Sequence, residues 1–256
     1  MAKTEGGDRR TQAAAARAQA ESAQKRESRI KILGGLAVLV VVVGIVFAGY
    51  FGAQASKPHA DAAAKQPVGT LQDAYGWAAN GTDSSKSTLV VYEDPQCPIC
   101  AQFEATFGTT ILSFIKDKSV NVVYQMATFI DDNLPQSNHA SRRAVAALGC
   151  AIDQGYGLEY HQLIYANQPS TEGAGYSDAL LRKLGEAAGI TGTKLTAFQK
   201  CFDAGTYLGW ADNLGQKFRD NGIQGTPTLV LDGTQVPDAA LASVKTFSDY
   251  IAQHKK

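Results

Sequence analysis

STLVVYEDPQCPIC, residues 87–100, is the stretch that decides the fold. Ser87 to Tyr92 is a β-branched run with the length of a buried strand. The character then changes at once. Pro98 falls at a position that the first turn of a helix tolerates, and Phe103, Phe107 and Ile111 recur every four residues as an apolar stripe. Lys116 and Lys118 suit the C-terminal end of that helix, where its dipole favours cations. Ser119 to Gln125 (SVNVVYQ) reads as a second strand. Strand, helix and strand in this order form a βαβ unit, with parallel pairing and a right-handed crossover.

Downstream of this unit, Asn138 to Asn221 is helical in pattern throughout. Gly155, Gly189, Gly205 and Gly222 fall where helix C-terminal caps belong. This block, about residues 136–222, reads as a helical insertion. Thr228 to Leu231 (TLVL), the turn pair Asp232-Gly233 and the run to Val236 predict a β-hairpin. A last amphipathic helix carries Leu241, Val244, Phe247 and Ile251. The fold class is therefore α/β, with one compact domain over residues 85–256.

Upstream, Ile32 to Phe51 (ILGGLAVLVVVVGIVFAGYF) has no charged residue over its whole length, enough for a helix to cross a bilayer core. A transmembrane helix is expected at 32–53. Lys plus Arg balances Asp plus Glu at 24 each, which gives no electrostatic signature for nucleic acid. The balance hides an asymmetry: residues 1–31 hold eight basic and four acidic residues, +4, and the remainder is −4. Basic residues crowd the N-terminal side of the apolar run. The positive-inside rule then places residues 1–31, a solvated basic tail, in the cytoplasm and the domain outside. A cleaved export signal ending near Ala53-Gln54-Ala55 is the alternative, but the stretch ahead of the apolar run and the run itself are both long for one. Residues 54–84 read as a linker and lead-in, and the domain is exported on either reading.

Four cysteines are present: Cys97 and Cys100 in CPIC, then Cys150 and Cys201. CPIC lies between a buried strand and the first turn of a helix, where free backbone N–H groups and the helix dipole stabilise a thiolate. Cys97 is expected to be the exposed, attacking sulfur and Cys100, one turn inward, its buried partner. Gly225-Thr226-Pro227-Thr228 places a proline directly ahead of a strand, a setting in which the preceding peptide bond is often cis.

With CPIC, a helical insertion and TPT ahead of a hairpin in that order, residues 85–254 resemble the thioredoxin superfamily. Within it the likeness is to the DsbA-like proteins, particularly the exported or membrane-anchored forms of actinobacteria. The resemblance implies a thioredoxin-like fold and an enzyme that forms disulfide bonds in exported proteins by dithiol-disulfide exchange at Cys97 and Cys100. Thr226 and Pro227 would lie beside the two sulfurs and hold extended substrate backbone. The implied partners are exported cysteine-containing proteins and a quinone-linked membrane reoxidase of the DsbB or VKOR-like kind. No cofactor and no metal is expected.

Two features depart from the family pattern. The dipeptide between the cysteines is Pro98-Ile99, where the strongly oxidising enteric DsbA has Pro-His, so a milder oxidant is expected. The position six residues before the first cysteine, acidic in thioredoxin and enteric DsbA, is Val91. Glu93 and Asp94 lie nearer the motif. Glu93 reads as a solvated loop carboxylate, with a proton relay to Cys100 as the alternative.

Cys150 and Cys201 are either buried free thiols or a structural disulfide. Export favours the disulfide, and some actinobacterial relatives carry such a second bridge. His139 is expected to have a surface or capping role near the start of the first insertion helix, close to Asn138 and Ser141. Arg142 and Arg143 read as a solvated face, and Trp77 and Trp210 as packing. Two other functions compete: a reductase or isomerase using the same site, and a CxxC metal-binding module. The second is weakened by the four histidines and two methionines of the chain, none of them next to CPIC.

Overall fold

A computed structural model describes residues 61, 63–71 and 74–256. The basic tail, the apolar segment 32–53 and its cleavage-site alternative lie outside the described residues. No helix among the described residues is long and apolar enough to cross a membrane.

In chain order the elements are β1 (Trp77–Ala78), β2 (Thr88–Glu93), α1 (Pro98–Asp117), β3 (Asn121–Met126), α2 (Phe129–Asn133), α3 (Ala140–Asp153) and α4 (Gly157–Ala166). They continue as α5 (Asp178–Ala187), α6 (Gly192–Asp203), α7 (Leu208–Asp220), β4 (Thr228–Leu231), β5 (Thr234–Gln235) and α8 (Val244–His254). The strands form one sheet in the order β1-β3-β2-β4-β5. β2 and β3 are parallel, with Thr88 opposite Asn121 and Glu93 opposite Met126. β4 joins β2 antiparallel, with Leu89 opposite Leu231 and Tyr92 opposite Thr228.

Side-chain alternation along β2 supplies both faces of the sheet. Leu89 and Val91 enter the main core, while Val90 and Tyr92 point the other way and pack with Phe218 of α7. On the main-core side α1 meets α8, where the Phe247 ring lies 5.5 Å from Phe107 and 5.9 Å from Phe114. A reciprocal Ser243–Thr246 capping box starts α8. The terminal helix differs from its predicted stripe: Leu241 belongs to a preceding 3₁₀ turn and Val244 is 42% exposed, so Phe247 and Ile251 carry the packing.

In the helical insertion, α3 is almost entirely buried, and its many alanines let neighbouring helices approach closely. The four glycines assigned to helix ends all have positive φ, the conformation in which the missing Cβ avoids a clash. A disulfide joins Cys150 of α3 to Cys201 of α6, closing a separation of 51 residues. Arg142 is not merely a solvated cation: its guanidinium forms a bidentate pair with Asp212, tying α3 to α7.

The domain also begins earlier than residue 85. β1 adds to β3 antiparallel from within the stretch assigned to the linker, with Trp77 stacked on Tyr124 at 5.8 Å. The side-chain amide of Asn213 clasps the backbone of Asp61 through a reciprocal pair of hydrogen bonds, Asp61 N–H to Oδ1 and Nδ2–H to the Asp61 carbonyl, each 2.7 Å. A two-residue strand has no period to read, and long-range bonds decide where the chain docks. Trp77 and Trp210 are both buried packing residues.

Candidate active site

β2 and α1 meet at the loop Asp94-Pro95-Gln96, and Cys97 is the residue on which the helix begins. It has extended φ and ψ of −73° and 115°, with Pro98 in the first turn. Pro98 lacks the N–H that a first-turn position leaves unpaired in any case, so it starts the helix without loss. Cys100, one turn on, is fully buried, and both thiols are free. The Thr226-Pro227 bond is cis, and the Thr226 carbonyl accepts a hydrogen bond from Cys97 Sγ at 3.3 Å. Four residues named from sequence, Cys97, Cys100, Thr226 and Pro227, thus form one locus. Cys150 and Cys201 belong to the insertion.

The expectation that Cys97 is exposed is corrected. The residue is 5% exposed, because the Thr226 loop lies against it, and the exposed apolar side chain at the motif is Ile99. Its thiol is nevertheless acidified to about 6, chiefly by the hydrogen bond from Cys100, against the opposing effect of burial. The Thr226 side chain and backbone N–H groups of the helix mouth lower it further. Cys100 is shifted the other way, by burial first, then by its bond to Cys97 and the charge of Glu93. At neutral pH one sulfur is therefore a thiolate and the other a thiol. That is the division of labour needed by a thiol exchange site.

Glu93 is not a solvated loop carboxylate. β2 extends one residue further than its apolar run, and Glu93 is its last residue, fully buried. Its Oε2 is bonded to His161 Nε2 of α4 at 3.0 Å. Glu104 of α1 completes a trio whose donor atoms all lie within 4.8 Å of one another. Burial pushes the Glu93 carboxyl well above its usual range and Glu104 up to about 8, and depresses His161. Burial thus disfavours the charged form of all three groups. The trio is the nearest approach to a cation-binding cluster among the described residues. Glu93 and His161 are sealed from solvent and bonded to each other. Sequence reading missed Glu104 and His161. The available signal was that Glu104 lies four residues beyond Cys100, on the same helix face.

The loop carrying CPIC is held by the insertion. Gln168 donates to Pro95 O at 2.8 Å and to Cys97 O at 2.9 Å, and Tyr176 Oη donates to the same Pro95 carbonyl at 2.7 Å. Beneath it, Asp94 accepts from the backbone N–H of Gln96 and of Ile130 and from the Ser141 hydroxyl. Gln96 donates to Asp131, which also receives Ser137, Ser141 and Arg142. Ser141 is therefore part of this network and not a helix cap. His139 is exposed in a left-handed conformation, and its side chain caps nothing.

Residues 76–253 match the family described as thioredoxin, and the chain belongs to that family. It is 30% identical over 162 residues to the serine/threonine-protein kinase PknE of Mycobacterium tuberculosis, a match that covers 61% of this chain but only 28% of the kinase. Among solved structures it is similar to the disulfide bond oxidoreductase DsbG of Mycobacterium tuberculosis in its reduced form, with 26% identity, 66% of this chain and 84% of that one covered, and a TM-score of 0.51. MdbA, a thiol-disulfide oxidoreductase of Actinomyces oris, superimposes with a TM-score of 0.60 at 20% identity, over 73% of this chain and 91% of that one.

Proposed function

We propose that the chain is an extracytoplasmic protein thiol-disulfide oxidoreductase that forms disulfide bonds in exported proteins at Cys97 and Cys100. The observation that carries this reading is the pairing of an acidified Cys97 with a buried, protonated Cys100 at one helix mouth, against the Thr226-Pro227 loop. Similarity to the disulfide oxidoreductase DsbG supports the same chemistry. The uncharged run 32–53, flanked by basic residues, supports a single membrane anchor with a cytoplasmic N-terminus and the domain outside.

In the oxidising direction a substrate thiolate attacks Cys97 Sγ. The Cys97–Cys100 bond breaks, and Cys100 leaves with the electron pair and takes up a proton. A second substrate thiolate then attacks the substrate sulfur of the mixed disulfide and expels Cys97 as a thiolate, so the substrate is oxidised and the dithiol reduced. Thr226 and Pro227 hold the substrate backbone alongside. A quinone-linked membrane partner of the DsbB or VKOR-like kind returns the pair to the disulfide. Cys150–Cys201 keeps the insertion together and takes no part in exchange.

Equilibration of the full chain with glutathione buffers tests this reading. A potential above about −200 mV supports net disulfide donation, and one below about −250 mV favours a reductase. The absence of any reversible couple would defeat the proposal.

A further inference from the structure

Between the end of β2 and Cys97 the chain makes a tight turn, and Asp94 closes it twice. Its carbonyl accepts from the N–H of Cys97 at 3.0 Å, and its carboxylate accepts from the N–H of Gln96 at 3.0 Å. Both bonds lock the turn that delivers Cys97 to the helix mouth. The same carboxylate also reaches out of the turn. It accepts from Ile130 N–H at 3.1 Å, at the start of α2, and from the Ser141 hydroxyl, at the start of α3.

A second carboxylate braces the first. Asp131 accepts from the N–H groups of Ser141 and Arg142, at 3.1 and 2.8 Å, which the first turn of α3 leaves without helical partners, and from Gln96 Nε2 at 2.8 Å. Gln96 Nε2 also donates to Ser141 Oγ at 2.8 Å, so Asp94, Gln96, Asp131 and Ser141 close a ring. All four are buried. The backbone of the insertion passes tightly by: a methyl group on Gly175 would come within 2.9 Å of Ser137 O and 3.8 Å of Gln96 Oε1. Two buried carboxylates add no stability that an apolar core of the same volume would lack. What a closely bonded ring supplies is a single geometry. Burial raises Asp94 to about 7, and the Ser141 hydroxyl is the chief group that opposes the rise.

We propose that Ser141, acting through Asp94 and braced by Gln96 and Asp131, is a positioning residue for exchange at Cys97, and that its ring holds the turn in the geometry that brings the first N–H groups of α1 onto the Cys97 sulfur. This rests on the reading of CPIC as the exchange site. The Cys97 thiolate is held in part by the backbone N–H groups of Ile99 and Cys100. Both require Cys97 to keep the extended φ and ψ at which it begins α1. Without the Ser141 hydroxyl the Asp94 carboxylate loses one of three donors, and Gln96 Nε2 loses one of two acceptors. The turn then loosens and the sulfur moves off the helix mouth. A less stable thiolate makes the reduced form less favoured and Cys97 a poorer leaving group. Ser141 itself bonds to neither sulfur and carries neither proton nor electron.

The test is the pH profile of iodoacetamide alkylation at Cys97 in the reduced full chain, read with its equilibrium against glutathione at pH 7 and its urea midpoint. Ser141→Ala removes one hydroxyl from the ring and should raise the Cys97 pKa by about half a unit. Asp94→Ala should raise it by about one unit, and Asp94→Asn, which keeps an oxygen for the Gln96 N–H, should fall between Asp94→Ala and the unaltered chain. At pH 7 the reduced form should lose about 2.5-fold in Ser141→Ala and about fivefold in Asp94→Ala against glutathione. Cys150→Ala/Cys201→Ala is the control: it lowers the urea midpoint without touching the ring, and its Cys97 profile should not move. An unmoved Cys97 profile in Ser141→Ala, whatever its midpoint, would make the ring structural alone and overturn the proposal. So would a control that shifts Cys97 as far as Ser141→Ala does. Failure of the unaltered chain to exchange reversibly with glutathione would instead remove the reading on which the proposal rests, while the alkylation profiles would still report on the ring.

Discussion

The thiol of Cys97 donates to the main-chain carbonyl of Thr226 across 129 residues, at 3.3 Å. That contact belongs to the protonated thiol alone. Once Cys97 ionises, the bond from Cys100 is the chief interaction holding its charge. The two partners of Cys97 therefore serve opposite protonation states.

A change in the pH dependence of the redox couple follows. Cys97 has its pKa depressed to about 6, so ionisation stabilises the reduced form above that pH, and the benefit is lost as pH falls through 6. Below pH 6 two protons accompany two electrons, and above it one does. The potential should fall by about 59 mV per pH unit below the break and about 30 mV above it. Potentials measured from pH 5 to 8 show the break. Cys100→Ala removes the largest stabilising bond, and alkylation of its Cys97 should titrate closer to the ordinary thiol value of about 8.5.

The disulfide in the helical insertion should contribute stability and no redox chemistry. Closing a loop of 51 residues is worth about 4 kcal/mol in the chain-entropy model. Cys150→Ala/Cys201→Ala should lower the urea midpoint accordingly and leave the potential of the Cys97–Cys100 couple unchanged. A shifted potential would mean that the second bridge takes part in exchange.

Gln168 and Tyr176 share one acceptor, the Pro95 carbonyl, and this makes their effects non-additive. Tyr176→Phe leaves the carbonyl bonded to Gln168 and should cost about 1 kcal/mol. Gln168→Ala also removes a bond to the Cys97 carbonyl, which keeps its backbone donors Cys100 and Ala101, and should cost about 1–2 kcal/mol. The double variant leaves Pro95 O without either partner and should exceed the sum by about 1 kcal/mol. Urea denaturation of the four chains measures the excess.

Glu93 should oppose folding at high pH. Its carboxyl is raised well above the usual range by burial, so stability is fully present below the unfolded pKa and declines as pH rises through the folded one. Glu93→Gln removes that decline. The variant should gain on the unaltered chain between pH 6 and pH 9 in urea midpoint. Parallel pH profiles for the two chains would count against a buried, protonated Glu93.

Much of this molecule is legible residue by residue. The βαβ unit follows from a β-branched run, a four-residue stripe and a second run, and the helix ends follow from Gly155, Gly189, Gly205 and Gly222, all in the left-handed region. CPIC and TPT mark the two halves of the site because proline and cysteine act through local geometry: a helix mouth on one side and the start of a strand on the other. Glu93, Glu104 and His161 carry no such mark. Glu93 is separated from its partner His161 by 68 positions, and whether a carboxylate after an apolar run is solvated or buried depends on what packs over it. The near-burial of Cys97 and the docking of Trp77 on Tyr124 are of the same kind. Local sequence determined where the elements begin and where the sulfurs lie. Tertiary packing decided which charges water can reach, because desolvation depends on the contacts from every side, and only the folded chain brings those together.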